Sequence, residues 1–401
     1  MKYAILIGDG MGDYPLDELG GKTVLEAANT PHMDRMAREG LLGLAQTIPD
    51  GMEAGSDVAN MAILGYDPTK YHTGRGPLEA ASMGVDLGPG ELGFRLNLVT
   101  VEVMDDGRVF MRDHAGGHIS TPDGHMLIKY LAERLPLANG QKLHPGVSYR
   151  HLLVWPGLAE GLPTIPPHDY RDQDVTDYLN NPDPAFKPVL DLIKASWPIL
   201  KEHPYNKEKA KSGHYTANSI WPWGQGRSPA MATYQERWGL TGAVVSAVDL
   251  IKGLGRYAGL TPLDVEGATG LVNTNYEGKV AAALDALKDD DFVLIHVEGP
   301  DEAGHQGDLD DKVKGVELFD QKVVGPMWDA LRGMGDYRLM VMCDHFTPIA
   351  VKTHTREAVP FAMYPWSEPS GRAYNEKEAA QAGLYLPLGH TLMNLFVGEK
   401  R

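Results

Sequence analysis

The stretch Arg338-Leu-Met-Val-Met-Cys-Asp344-His345 decides the fold. Its continuous apolar run reads as a strand buried on both faces, the pattern of a parallel sheet. The strand runs straight into an Asp-His pair, and a carboxylate and a neutral imidazole are both ligands for divalent metals. In open α/β sheets the chemistry sits beyond the carboxyl ends of the strands. Two other segments end in the same way. Tyr3-Ala-Ile-Leu-Ile-Gly8 runs into Asp9, and Phe292-Val-Leu-Ile-His-Val297 leads to Asp301, with His305 four residues on. Strand ends so far apart in sequence place both termini of the chain in one sheet.

Working outward, strand–helix alternation holds over the first 88 residues and again after Gly267. Between them the texture changes. Phe94–Val103 and Arg108–Met111 flank Asp105-Asp106-Gly107, a hairpin signal. Residues 156–188 are rich in Pro and Asp and read as surface loop, and Asp310–Leu331 reads as one long helix. The fold class is therefore α/β: a mostly parallel sheet flanked by helices, formed by residues 1–88 and 216–401. A smaller α+β domain, residues 89–215, is inserted in it.

A chain of 401 residues can bury a core of this size. The net charge of −17 leaves no basic stripe for phosphate backbones, so nucleic acid is not an expected partner. Cys343 is the sole cysteine, which rules out intramolecular disulfides and suits a reducing compartment. Only five mostly apolar residues follow Lys2 before Gly8-Asp9, too few for a signal peptide, and no apolar run is long enough to span a bilayer. The expectation is a cytoplasmic protein with no membrane partner.

Two nucleotide motifs fail on inspection. Gly8-Asp9-Gly10-Met11-Gly12 has Asp13 where a dinucleotide fingerprint needs its third glycine, and Asp9 would repel a pyrophosphate. Gly21-Lys22-Thr23 has Leu16 where a Walker A loop needs its first glycine. Metal ligation explains the acids better. Asp9, Asp301, His305, Asp344, His345 and His354 offer more oxygen and nitrogen ligands than one tetrahedral ion takes, and suit two. Paired ions can clamp the attacking and leaving oxygens of a phosphoryl transfer.

Ser56, in Glu53-Ala-Gly-Ser56-Asp57, is the candidate nucleophile. It stands at or near the N-cap of a helix, where backbone N–H groups and the helix dipole favour an alkoxide and a phosphoryl oxygen. A bound metal would lower its pKa further. Two divalent ions then balance three aspartates and one serine alkoxide, so an anionic substrate needs further cations. Arg75, Arg150, Arg227 and Lys252 are the candidates, since arginine presents a fork to phosphate or carboxylate.

These residues resemble a known family. Asp9, Ser56, Asp301-x3-His305, Asp344-His345 and His354 follow the order and approximate spacing of the alkaline phosphatase superfamily. Gly20-Gly-Lys-Thr23, Gly65-Tyr-Asp-Pro68, Thr73-Gly-Arg-Gly-Pro77, Ser246-Ala-Val-Asp-Leu-Ile-Lys252, Gly267-Ala-Thr-Gly270 and Asp301-Glu-Ala-Gly-His305 resemble the archaeal-type branch of the 2,3-bisphosphoglycerate-independent phosphoglycerate mutases. The resemblance implies an alkaline phosphatase-like core and interconversion of 3- and 2-phosphoglycerate through a phosphoserine at Ser56. It implies two divalent ions, Mn²⁺ first, with Zn²⁺, Mg²⁺ or Co²⁺ as alternatives. One would be held by Asp301, His305 and His354, the other by Asp9, Ser56, Asp344 and His345. Lys252 would stabilise charge beside Ser56, and the inserted domain would grip a small phosphorylated substrate.

In that domain His118, in Gly116-Gly-His118-Ile-Ser120, is the candidate acid/base, and Asp169, in Pro167-His168-Asp169, a weaker one. His114 and His118, four apart, are an alternative minor metal site. Glu298-Gly-Pro-Asp301-Glu-Ala-Gly-His305 also resembles proposed homoserine kinases of the same branch, so that transfer remains an alternative, as does a phosphomonoesterase of the superfamily.

Overall fold

In a computed structural model, residues 1–138 and 140–398 are described. Fourteen strands follow in chain order: β1 (Lys2–Gly8), β2 (Leu41–Ala45), β3 (Glu91–Val103), β4 (Val109–Asp113), β5 (Lys142–His144), β6 (Arg150–Pro156), β7 (Gln173–Asp174), β8 (Ser219–Gly226), β9 (Gly242–Val245), β10 (Thr261–Leu263), β11 (Phe292–Val297), β12 (Tyr337–Met342), β13 (Val359–Tyr364) and β14 (Tyr385–Leu386). They form two sheets in two compact units, residues 1–72 with 230–401 and residues 73–229.

The first unit carries the expected mostly parallel sheet, in the order β10-β9-β11-β1-β12-β13-β2-β14. From β10 through β12 every pairing is parallel, and only β13 runs against its neighbours. β1 lies between β11 and β12, with Ile7 opposite both His296 and Met342. All but the first residue of β1, and every residue of β11, is buried, because helices cover the sheet and leave neither face to water. The register brings the ends of β11, β1 and β12 level, so the loops bearing Asp301, Asp9 and Asp344 leave side by side.

The second unit is built on an antiparallel sheet, β5-β6-β3-β4-β7 with β8 also paired to β3. Helices Thr121–Ala132 and Lys187–Glu202 enclose a core around Phe94, Leu96, Phe186 and Trp221. Its limits differ from the expected 89–215. Helix Arg75–Ser82 belongs here because Gly76 lets it touch β3; a Cβ on Gly76 would lie 2.1 Å from the Gly93 carbonyl oxygen. β8 belongs here through its ladder with β3. The segment read as surface loop, 156–188, holds a short 3-10 helix, β7 and helix Thr176–Leu179.

The expected helix Asp310–Leu331 is broken into Leu309–Phe319, a π segment Asp320–Val324, and Gly325–Leu331. Pro326 cannot donate to the helical ladder. Asp320 accepts N–H bonds from His32 (3.2 Å) and Met33 (2.6 Å), in the first turn of helix Pro31–Glu39. Among the described residues no helix is long and apolar enough to cross a membrane.

Candidate metal centre and nucleophile

Side chains able to hold a metal gather in overlapping groups beyond β11, β1 and β12. The first is Asp301, His305 and His354. Asp301 and His305 share helix Gly299–Gln306, one turn apart, so both side chains point the same way. His305 Nε2 lies 3.2 Å from Asp301 Oδ2 and 3.0 Å from His354 Nε2, and His354 Nε2 lies 3.4 Å from Asp301 Oδ1. The far nitrogens face carbonyls: His305 Nδ1 is 3.0 Å from Lys352 O, and His354 Nδ1 is 3.4 Å from Ala54 O. A carbonyl only accepts, so both Nδ1 atoms carry hydrogen and both Nε2 atoms turn toward the same carboxylate. Two imidazole nitrogens and a carboxylate in such contact share either a proton or a bound cation. The hydrogen bond to Asp301 raises the His305 pKa to about 9 against the opposing effect of burial.

The second cluster centres on Asp9, which groups with His296 and Asp344 and again with Asp301 and His345, all buried. Asp344 Oδ1 accepts from the Gly10 N–H (3.2 Å), and Oδ2 accepts from Asn60 Nδ2 (2.8 Å). His345 Nε2 lies 3.5 Å from Asp9 Oδ1 and 3.5 Å from Asp344 Oδ2. Asp9 Oδ2 lies 3.1 Å from His296 Nε2. Burial, and then the negative charges of Asp344, Asp301 and Glu298, push the Asp9 carboxyl well above its ordinary pKa. Asp9 Oδ1 and His296 Nε2 are buried without a hydrogen-bond partner. Crowded carboxylates, inward-facing imidazole lone pairs and an orphaned oxygen are the chemistry of a divalent-metal centre, and the residues fit one.

Ser56 opens helix Ser56–Ile63, with Gly55 as the N-cap residue. Its Oγ lies 3.0 Å from His345 Nε2. Asn60, one turn on, donates both to Ser56 O (2.9 Å) and to Asp344, which ties the start of this helix to the second ligand group. All the sequence-derived metal candidates therefore converge, and Ser56 joins them. Lys252 lies in the first turn of helix Asp249–Tyr257, with its ammonium 2.5 Å from Asp264 Oδ1.

The inserted unit brings together a different set from the one expected. Arg95, inside β3, lies with its guanidinium 4.6 Å from the centre of the Trp223 ring, and Arg75 lies 5.9 Å from it. His168 packs edge-on to Trp223 at 5.3 Å, and His114 packs on His168 at 6.2 Å. Burial first, and then the charges of Arg75 and Arg150, lower the pKa of Arg95 although Glu79 opposes them. Arg75 and Arg95 thus both lie against the Trp223 ring, and Glu79 Oε2 stands 3.4 Å from Arg95 Nε.

Arg227 pairs instead with Glu160, and Asp169 is largely exposed, 3.6 Å from His168 Nε2. His118 sits exposed at a turn with a positive φ of 52°, and His114 is half-buried against the His168 and Tyr149 rings. His114 and His118 are not among the metal-capable groups of the described residues. Sequence reasoning did not single out Arg95, Trp223, His296, Asn60 or Thr347, each of which touches one of these clusters.

Comparison with known proteins gives the family. A family model for 2,3-bisphosphoglycerate-independent phosphoglycerate mutase matches residues 37–206. The chain is 48% identical over 400 residues to a probable 2,3-bisphosphoglycerate-independent phosphoglycerate mutase of Geobacter sulfurreducens, covering 99% of this chain and 100% of that protein. It is 48% identical over 409 residues to the enzyme of that name from Methanosarcina barkeri, covering 100% of both. Among solved structures, a cofactor-independent phosphoglycerate mutase from Thermoplasma acidophilum superposes with a TM-score of 0.64 at 27% identity over 99% of both chains. A Pyrococcus horikoshii protein superposes with a TM-score of 0.83 at 29% identity over 100% of this chain and 98% of that one. With the similarity running from end to end, the chain belongs to the family of 2,3-bisphosphoglycerate-independent phosphoglycerate mutases.

Proposed function

We propose that this enzyme interconverts 3-phosphoglycerate and 2-phosphoglycerate without 2,3-bisphosphoglycerate, by way of a phosphoserine at Ser56. The observation that carries the reading is Ser56 Oγ, at a helix start, 3.0 Å from His345 Nε2 beside side chains able to hold a metal ion. Asp301, His305 and His354 would hold one divalent ion, and Asp9, Ser56, Asp344 and His345 the other. When bound, such ions lower the pKa of a serine hydroxyl and stabilise charge on a transferring phosphoryl group. The imidazole-rich ligand set favours Mn²⁺ or Zn²⁺ over Mg²⁺.

Ser56 Oγ attacks phosphorus in line. The Oγ–P bond forms as the bond from phosphorus to the substrate's 3-oxygen breaks, and that oxygen takes up a proton. The 2-hydroxyl then loses its proton, attacks the phosphoserine, and frees Ser56. Backbone N–H groups at the start of helix Ser56–Ile63 favour the anionic phosphoryl oxygens. The inserted unit grips glycerate between the two steps, with Arg75, Arg95 and Arg150 binding its carboxylate by charge-assisted hydrogen bonds. Water must be kept out at the phosphoserine stage, because hydrolysis there would turn the mutase into a phosphatase.

The homoserine kinase reading is not favoured, since the curated relatives bear the mutase name. An enolase-coupled assay with Mn²⁺ and no bisphosphoglycerate tests the proposal, run beside homoserine plus ATP. Turnover of 3-phosphoglycerate is expected; phosphohomoserine formation without mutase turnover would overturn it.

A further inference from the structure

Thr347 lies between the two ligand groups. Its Oγ1 donates to Asp301 Oδ1 and stands 3.3 Å from His345 Nδ1. A hydroxyl has one hydrogen, and a carboxylate can only accept it. Toward His345 the oxygen is therefore an acceptor, and Nδ1 must carry the hydrogen. The His345 Nε2 lone pair is then fixed on the side of Ser56 Oγ, Asp9 Oδ1 and Asp344 Oδ2. One hydroxyl thus orients a ligand of each group.

The backbone that carries this hydroxyl is also tied down. Lys312, fully buried, donates to Thr347 O (2.8 Å), to Gly12 O (3.1 Å) and to Asp13 Oδ2 (2.7 Å). That ammonium clamps the loop after β12 to the loop after β1. Gly10, with a φ of +63°, closes the other side: a Cβ there would lie 2.6 Å from Thr347 Oγ1 and 2.7 Å from Asp301 Oδ1. Thr347 Oγ1 and Asp301 Oδ1 thus occupy space that only a glycine at position 10 leaves open.

We propose that Thr347 is a positioning residue that couples the two metal positions, setting the Asp301 carboxylate for one and the His345 tautomer for the other. This rests on the two-ion reading above. Groups that orient metal ligands typically contribute about 10- to 100-fold in metal affinity.

The test is a calorimetric titration of the metal-free full-length protein with Mn²⁺ alone, without substrate, for wild type, Thr347→Val and Thr347→Ser. Wild type should take up two ions. Thr347→Val should bind more weakly at both positions, by about 10- to 100-fold, and Thr347→Ser should recover wild-type affinity at both. Weakening at one position only, or at neither, overturns the coupling while leaving the two-ion reading intact. Wild type binding fewer than two ions overturns both. A second measurement needs no variant: the histidine ¹⁵N spectrum of the metal-free wild type should show His345 as the Nδ1–H tautomer. The Nε2–H form there would overturn the proposal even if Thr347→Val does not fold.

Discussion

In the metal-free protein a proton sits where an ion would bind. His305 donates its Nδ1–H to Lys352 O, and its Nε2 faces Asp301 and His354. The hydrogen bond to Asp301 raises its pKa to about 9. An ion can take Nε2 only after that proton leaves, so below about pH 9 every unit of acidification should weaken metal binding about tenfold. Between pH 9 and pH 7 the apparent affinity should fall about 100-fold from this one group. The raised Asp9 carboxyl acts in the same sense.

The sign for stability is the reverse. With its folded pKa above the unfolded value of about 6.5, His305 contributes stability fully present below that pH and lost as pH rises through about 9. The metal-free protein should therefore lose melting temperature over that window while metal affinity climbs. Calorimetric titration with Mn²⁺ from about pH 6 to 8.5, in two buffers of different ionisation enthalpy, counts the protons released. About one proton or more per pair of ions is expected near neutrality. An affinity changing less than about threefold between pH 6 and 8, with no proton release, would refute the reasoning.

Ser56→Ala should abolish phosphoenzyme and lower turnover by on the order of a thousandfold or more, measured by label retention and the coupled assay. Arg75→Met should raise KM about tenfold or more, the loss of one charge-assisted hydrogen bond to substrate, with a smaller effect on kcat in steady-state kinetics. Lys312→Met should cost about 3–5 kcal/mol in urea denaturation, because Asp13 stays buried without its partner; adding Asp13→Leu should recover part of it. Gly76→Ala should lower stability by about 1–3 kcal/mol in the same assay, since its Cβ meets the Gly93 carbonyl rather than a side chain that can yield.

The candidate metal centre was legible because its proposed ligands follow apolar runs that read as buried strands. Asp9, Asp301 and Asp344 each stand beyond such a run, and parallel pairing of β11, β1 and β12 puts them together. His296 was hidden inside one of those runs. Only the register, with His296 opposite Ile7, reveals that its imidazole reaches Asp9. Thr347 carries no motif, since a threonine two residues past His345 looks like any loop residue until its two partners are known. Arg95 was read as part of a strand, and its role depends on Trp223 arriving from β8, more than a hundred residues later. The unit boundary fell at 73 rather than 89 because a close contact of Gly76 with Gly93 has no sequence signature. The break at Asp320 turned on Pro326, a signal that was present and was overridden by the helical periodicity around it.

The central claim is that Ser56 takes the phosphoryl group and hands it back to the same glycerate. Rapid-quench mixing of the Mn²⁺-loaded enzyme with 3-phosphoglycerate labelled on both phosphorus and carbon, in a pool of unlabelled glycerate, tests it directly. The account predicts transient label on Ser56, then label in 2-phosphoglycerate built on the original carbon skeleton. Label passing to 2-phosphoglycerate without ever residing on Ser56, or ending in inorganic phosphate, would contradict it.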